Sequence, residues 1–263
     1  ENGITSGDLS NTCVDHTVSM DMAAYNKVRI IRGPEALLYG SNTIGGVIDV
    51  SRQIDPGARF KKASFQSLIG SESSNSSLFG NVTCYIPFSY DHQFKLSYLN
   101  REAKDEISSI GPIKNSALSN NEISANYSYF GKTYRTTFSY EQLEMDYGIP
   151  GSPEGHIDGI DIEMNKNTQK FNIHKDLSFM GFQTLDIDQR YIVYGHTESE
   201  KTSSYPAVIL DQEVFSIQNI LKGPKVNIGS LFRYRKVRAG GFYWTPDTEE
   251  LNFALFGIFE KNL

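Results

Sequence analysis

The chain has 263 residues, a formal net charge of −6 and a mean hydropathy of −0.38, with 16 Phe and 15 Tyr beside a single Trp. No block of Lys or Arg supplies the concentrated positive charge that a nucleic-acid partner requires. No run approaches 18 consecutive apolar residues, which excludes a transmembrane helix but not a membrane barrel, whose average hydropathy stays modest.

The chain carries no signal-peptide pattern, which says little about export, and it is expected to be an internal piece of a longer protein. Composition changes at the turn signal Asp55-Pro56-Gly57, which sets expected units at 1–56 and 57–263. In the first, Val28 to Ile31 and Val47 to Val50 read as strands and Pro34 to Tyr39 as a helical turn, punctuated by Gly33, Gly40, Gly45 and Gly46. This is a small α+β pattern. Of the two cysteines, Cys13 and Cys84, the second falls on a strand face that points away from any lumen.

Beyond Gly57 the chain alternates with period two. Phe94, Leu96 and Tyr98 oppose Lys95, Ser97 and Arg101; Ile123, Ala125, Tyr127 and Tyr129 oppose Glu122, Ser124, Asn126 and Ser128. Phe79 to Tyr90, Thr133 to Glu141, the stretch around Phe171 and Ile173, Leu185 to Val193, Phe215 to Leu221, Val226 to Tyr234 and Leu251 to Phe259 repeat the pattern, and a weaker strand covers Ala63 to Gly70. About ten strands result, several near the length of about 9–11 residues that crosses a bilayer at a tilt. Short turns at Asp91-His92, Phe130 to Lys132, Asp176 to Gly181 and Lys222 to Lys225 alternate with longer polar loops at 103–120, 148–160, 199–207 and 236–249. Such rims belong to an outer-membrane barrel; a soluble sandwich alternates its strands without alternating its loops. The expected fold class is all-β: an antiparallel transmembrane β-barrel, partial at about ten strands, with the C-terminal part of a small α+β domain.

The stretch KVRIIRGPEALLYGSNTIGGVIDV, Lys27 to Val50, resembles the closing segment of the plug domain in TonB-dependent outer-membrane receptors. Arg32-Gly33-Pro34, Tyr39-Gly40 and Gly45-Gly46 carry the likeness. Pro34 can open a helical turn because its missing N–H costs nothing there. The rival reading of GSNTIGG as a phosphate loop fails for want of a following Lys-Ser/Thr. Tyr147 to Gly151, Tyr194 to Glu198, Gly240-Gly241-Phe242, Thr245-Pro246 and Ala254 to Phe256 look like the subgroup that includes zinc-uptake receptors. A complete receptor of this kind has about 22 strands around its plug.

The resemblance implies energised uptake of a scarce nutrient across the outer membrane of a Gram-negative bacterium. TonB would pull on a plug segment outside this chain, outer-membrane lipid would surround the barrel, and a metal ion or metal chelate would be the substrate. No catalytic constellation such as HExxH or GxSxG is present, and no resident cofactor is expected. Zinc enters as the transported substrate, because imidazole and carboxylate suit it. Asp15 and His16 form the expected ligand pair on the plug. If Leu185, Ile187, Tyr191 and Val193 face lipid, then Asp186, Asp188, Arg190, Tyr194, His196 and Glu198 face the lumen, where His196 and Glu198 could join Asp15-His16. The competing reading is an ordinary polar lumen. His156 and Asp158 are candidates for capture in a loop, although one His replaces the His-rich loop of zinc-binding relatives. His92 and His174, near the short-turn rim, read as structural or solvated. Arg32 is expected to bond within the plug or to Asp186 or Asp188. Alternatives are a ferric-siderophore, haem or cobalamin receptor, and, in a different class, a passive porin or β-barrel adhesin.

Overall fold

In the computed structural model, residues 7, 9, 16–39, 43, 45–52, 57–153, 155–203, 205–242 and 246–259 are described. Asp15, Gly40, Cys13, the Asp55-Pro56 turn and Thr245 lie outside them. The first strands, β1 (Lys27–Ile31) and β2 (Val47–Ser51), form their own antiparallel pair, with Val28 opposite Val50 and Ile30 opposite Ile48. Between them Pro34–Tyr39 makes a 3-10 turn. Gly46 holds φ +106°, and a Cβ there would stand 2.7 Å from the Ile31 carbonyl, so the return into β2 needs glycine. Arg29 donates to the Tyr39 hydroxyl and pairs with Asp49 at 3.3 Å, tying the turn to the strand pair.

All remaining long strands share one antiparallel sheet. They are β3 (Ser64–Glu72), β4 (Ser77–Pro87), β5 (His92–Ala103), β8 (Leu118–Phe130), β9 (Tyr134–Ile149), β10 (Ile160–Phe179), β11 (Phe182–Glu200), β12 (Val208–Lys222), β13 (Val226–Gly241) and β14 (Thr248–Phe259). Each pairs with its sequence neighbour, except that the two-residue strands β6 (Ile107–Ser108) and β7 (Gly111–Pro112) form a separate small hairpin between β5 and β8. The expected count of ten strands is therefore met. The alternation also holds: Phe94, Leu96, Tyr98, Phe138, Phe253 and Leu255 are exposed, while Lys95, Leu99, Glu122, Glu141, Arg190 and His196 are buried.

The rims follow the expected short-and-long pattern with three differences. The β10–β11 turn is two residues, Met180-Gly181, both at positive φ (49° and 84°), so β10 runs on to Phe179 past a register shift after Asp176. That mirror-type turn matches the right-handed twist of the flanking strands, and Met in place of the usual Asn hides it from turn chemistry. On the long-loop rim, β3 and β4 are joined by a tight turn through Ser76 (φ 52°). Finally, β13 extends to Gly241 and shortens the expected 236–249 loop.

The N-terminal segment lies against the inward face of this sheet. Asn81 of β4 donates to the Ala23 carbonyl, Lys166 of β10 to Ser19, Gln212 of β12 to the Gly7 carbonyl and Gln218 to the Leu38 carbonyl. β14 contacts the 3-10 turn. One short segment touching strands from β4 to β14 requires the sheet to wrap around it. Two arginines do most of the charged docking. Arg52 pairs with Glu122 and, at 3.8 Å, with Glu141, and its carbonyl accepts from Lys95. Arg101 reaches Asp21 at 2.6 Å. The partners expected for Arg32 are already engaged: Asp186 pairs with His174 and Lys222, each at 2.6 Å, and Asp188 accepts from Asn172. Arg32 is exposed and forms no ion pair with a described residue; Arg52 occupies the role.

The inward face is not uniformly polar. Toward the long-loop rim Leu143, Met145, Met164 and Tyr194 pack on Leu9 of the N-terminal segment. Ile162 and Ile192 are also fully buried. This apolar patch forms the setting of the site described next.

Candidate metal centre

His196 and Glu198 sit two residues apart on β11, so both side chains leave the same face of the strand. In register, His196 lies between Met164 of β10 and Leu210 of β12, and Glu198 between Ile162 and Val208. These neighbours are apolar, and the His196 side chain is fully buried. Such a dry setting strengthens interactions among the few polar groups it contains.

The third member comes from the opposite side. His16 belongs to an extended stretch pinned at Thr17, whose N–H donates to the Tyr147 hydroxyl at 3.2 Å, and at Ser19, which receives Lys166 at 3.0 Å. From there the His16 Nε2 reaches Glu198 Oε1 at 3.0 Å, and His196 Nε2 reaches the same oxygen at 3.1 Å. The imidazole centroids are 4.5 Å apart. One ligand atom from each of the three residues lies within 4.8 Å of the other two, the one such group among the described residues.

The outer contacts orient the rings. His16 Nδ1 faces the Leu9 carbonyl at 3.3 Å. A carbonyl only accepts, so Nδ1 carries a proton and Nε2 is the nitrogen aimed into the site. His196 Nδ1 faces the Tyr194 hydroxyl at 3.2 Å, which likewise turns Nε2 inward. A tetrahedral ion bound at about 2.0–2.1 Å from nitrogen separates its ligand atoms by about 3.3 Å. Two of the three separations, 3.0 and 3.1 Å, are near this spacing, and the third, between the imidazoles, lies within 4.8 Å, so the rings would have to draw together around an ion. Two imidazoles and a carboxylate suit zinc and its first-row neighbours, and binding would require the Nε2 of each ring to be free of its proton.

The other expected residues fall elsewhere. His156 pairs with Glu200 at 3.0 Å on the long-loop rim. Asp158 is exposed and makes no ion pair with a described residue. His92 bonds Tyr127 at 2.6 Å near the short-turn rim, and His174 bonds Asp186. Tyr194 was legible only as an inward-facing residue; its hydroxyl on His196 depends on the i, i+2 spacing, which was available as a signal. The Leu9 carbonyl left no signal in the sequence, because a backbone acceptor is common to every residue type.

A second polar cluster, away from the imidazoles, clamps the N-terminal segment. Asp21 caps the 3-10 turn Met22–Ala24, accepting from Ala23 N–H at 2.9 Å. Its carboxylate also takes Arg101 Nε at 2.6 Å, a second Arg101 N–H at 3.2 Å and Asn120 at 3.3 Å. Burial pushes the Asp21 carboxyl upward, but the Arg101 hydrogen bonds, the Ala23 N–H, the guanidinium charge and Asn120 together hold it below the usual aspartate value.

No protein-family model matches the chain. Its structure is similar to the siderophore receptor PirA of Pseudomonas aeruginosa (TM-score 0.67, 13% identity, covering 88% of this chain and 39% of that one). It is also similar to the copper transporter OprC (0.69, 13%, 89% and 39%). A third similar structure is the siderophore receptor PiuA of Acinetobacter baumannii (0.63, 14%, 89% and 43%). The chain thus spans about two fifths of the length of these receptors. Across that span, its ten-stranded antiparallel sheet has the fold of the TonB-dependent receptor barrel.

Proposed function

We propose that this chain is part of a TonB-dependent outer-membrane receptor that takes up a transition-metal ion, zinc being the best fit. Residues 1–56 are then the C-terminal part of the plug and 57–263 the first part of the barrel wall. The reading is carried by one observation: His16, from the plug side, meets His196 and Glu198, from the wall, around a shared carboxylate oxygen. Asp15, adjacent to His16, is the proposed fourth ligand. Because no single unit holds all the ligands, displacement of the plug by TonB would take His16 away from the other two. The ion would then lose a ligand and pass inward. Lipid surrounds the outward aromatic and aliphatic face, and the long loops meet the exterior, with His156 and Asp158 proposed as a weaker first contact.

The similarity to siderophore receptors supports a second reading, uptake of a ferric chelate, which would use aromatic and Arg side chains on the loops. Zinc titration of the complete receptor by calorimetry, in wild type and in His16→Ala, His196→Ala and Glu198→Gln, separates them. The metal reading expects one saturable site whose affinity falls at least about a hundredfold in each variant. Equal zinc affinity in all four proteins, or none in any, would remove it.

A further inference from the structure

Soft donors stand beside the imidazoles, and the zinc reading leaves them unused. The chain has five methionines, Met20, Met22, Met145, Met164 and Met180. Three of them lie in the wall. Met180 occupies the β10–β11 turn. The other two, Met145 of β9 and Met164 of β10, face inward and are 4% and 0% exposed. They are consecutive members of one cross-strand row: Met145 stands opposite Met164, and Met164 stands opposite His196. Leu210 of β12 flanks the imidazole on its other side.

Directly opposed residues of an antiparallel pair hold their Cβ atoms about 4.5–5.5 Å apart. A methionine sulfur lies two bonds beyond Cβ on an unbranched, flexible chain, so it can lean toward the ring beside it. An ion held by His196 is therefore within reach of the Met164 thioether. Thioether and imidazole are donors that suit Cu(I), and carboxylate is the harder partner. Charge points the same way. Glu198 is the one carboxylate in the group formed with His16 and His196. A monovalent ion beside it is neutral overall, whereas a divalent ion leaves a positive charge among Met164, Leu210, Ile162 and Val208, where an uncompensated charge is costly. Filling the apolar patch accounts for a buried side chain next to His196, and Leu143, Ile162 and Ile192 fill it nearby without sulfur.

We propose that Met164 is a thioether ligand and that the cleft also takes a cuprous ion, bound by His16, His196 and Met164 with Glu198 as the neutralising charge. The two ions draw on different subsets of one donor group: zinc takes the carboxylate, and Cu(I) takes the sulfur. The inference rests on the cleft being a metal site, and it deepens that reading by adding a soft monovalent substrate.

The test uses the complete receptor. Cu(I), kept reduced by ascorbate and buffered by bicinchoninate, is offered in competition, and zinc is titrated separately by calorimetry. Wild type is expected to withdraw cuprous ion from the buffer, and X-ray absorption at the copper edge should record a sulfur neighbour at about 2.3 Å, the usual metal–sulfur length. Met164→Leu conserves volume. It should lose the sulfur signal and lower the ratio of cuprous to zinc affinity at least about tenfold. Met145→Leu, one strand farther from His196, should keep both the signal and the ratio, which separates ligation from packing. Copper with only nitrogen and oxygen neighbours, an unchanged ratio in Met164→Leu, or an equal fall in both leucine variants overturns the proposal. The zinc titration keeps the two readings apart. Zinc bound through His16 with no sulfur on copper sinks this inference and leaves zinc uptake standing. Cu(I) bound through sulfur in a receptor that binds no zinc removes zinc and leaves the cuprous site, and a receptor that binds neither ion removes both.

Discussion

Replacing Asp21 by Asn tests how firmly the N-terminal segment is held to the wall. The Asp21 and Arg101 side chains are 5% and 15% exposed, so their pairing is shielded from solvent. Removing one member of such a pair strands the other and costs about 3–5 kcal/mol. Arg101 retains Glu72 at 3.2 Å and a Phe79 ring 4.1 Å away, which offsets part of that loss. We therefore expect about 2–3 kcal/mol, or roughly 30- to 150-fold in the opening equilibrium of the segment. Asn keeps the cap on Ala23, so local helical structure should survive; Asp21→Ala should lose the cap and add about 1 kcal/mol. Hydrogen exchange of peptides spanning residues 16–31 in the complete receptor measures this directly. Arg101→Gln should match Asp21→Asn, and the double variant should be little worse than either. If both single variants exchange within threefold of wild type, the clasp does not hold the segment. The pH dependence follows from the lowered Asp21 carboxyl. Its folded value lies below the unfolded one of about 3.9, so its stabilisation is complete above that pH. It is lost as pH falls through the folded value, and Asp21→Asn should lack that acid step.

Three further outcomes follow from the same geometry. Tyr194→Phe removes only the hydroxyl facing His196 Nδ1, and should weaken zinc binding by about 10- to 100-fold in calorimetry without lowering the thermal midpoint. Met164→Ala, at a position with no exposure, should destabilise by about 2–5 kcal/mol in denaturant unfolding, whereas Met164→Leu should cost less than about 1.5 kcal/mol. Gly46→Ala forces a side chain onto the Ile31 carbonyl at φ +106°, and should loosen β1–β2 by about 1–3 kcal/mol, seen as faster exchange of its amides.

Much of the wall was legible because strand alternation is a local property. Each period of two places its own side chains, and burial against a wrapped-around segment only confirms which face is inward. The same logic placed His196 and Glu198 together, since residues i and i+2 share a face whatever the rest of the chain does. Turn details escaped in two places: the expected turn at 176–181 was drawn too wide, since β10 continues to Phe179 and only Met180-Gly181 take positive φ, and the Ser76 turn followed a strand too weakly patterned to bound it.

Docking across the lumen was decided otherwise. His16 lies 182 residues from Glu198, and Asp21 80 from Arg101; no periodicity spans such separations. The likeness to a plug drew attention to Arg32, yet Arg52 reaches Glu122, because the exit from β2 rather than the Arg-Gly-Pro turn lies against β8 and β9. Local backbone geometry, written residue by residue, determined the strands and the shared face of His196 and Glu198. Which imidazole completes that face, and which arginine enters the wall, was settled only when the whole sheet wrapped around the segment, because those contacts depend on the position of every strand between them.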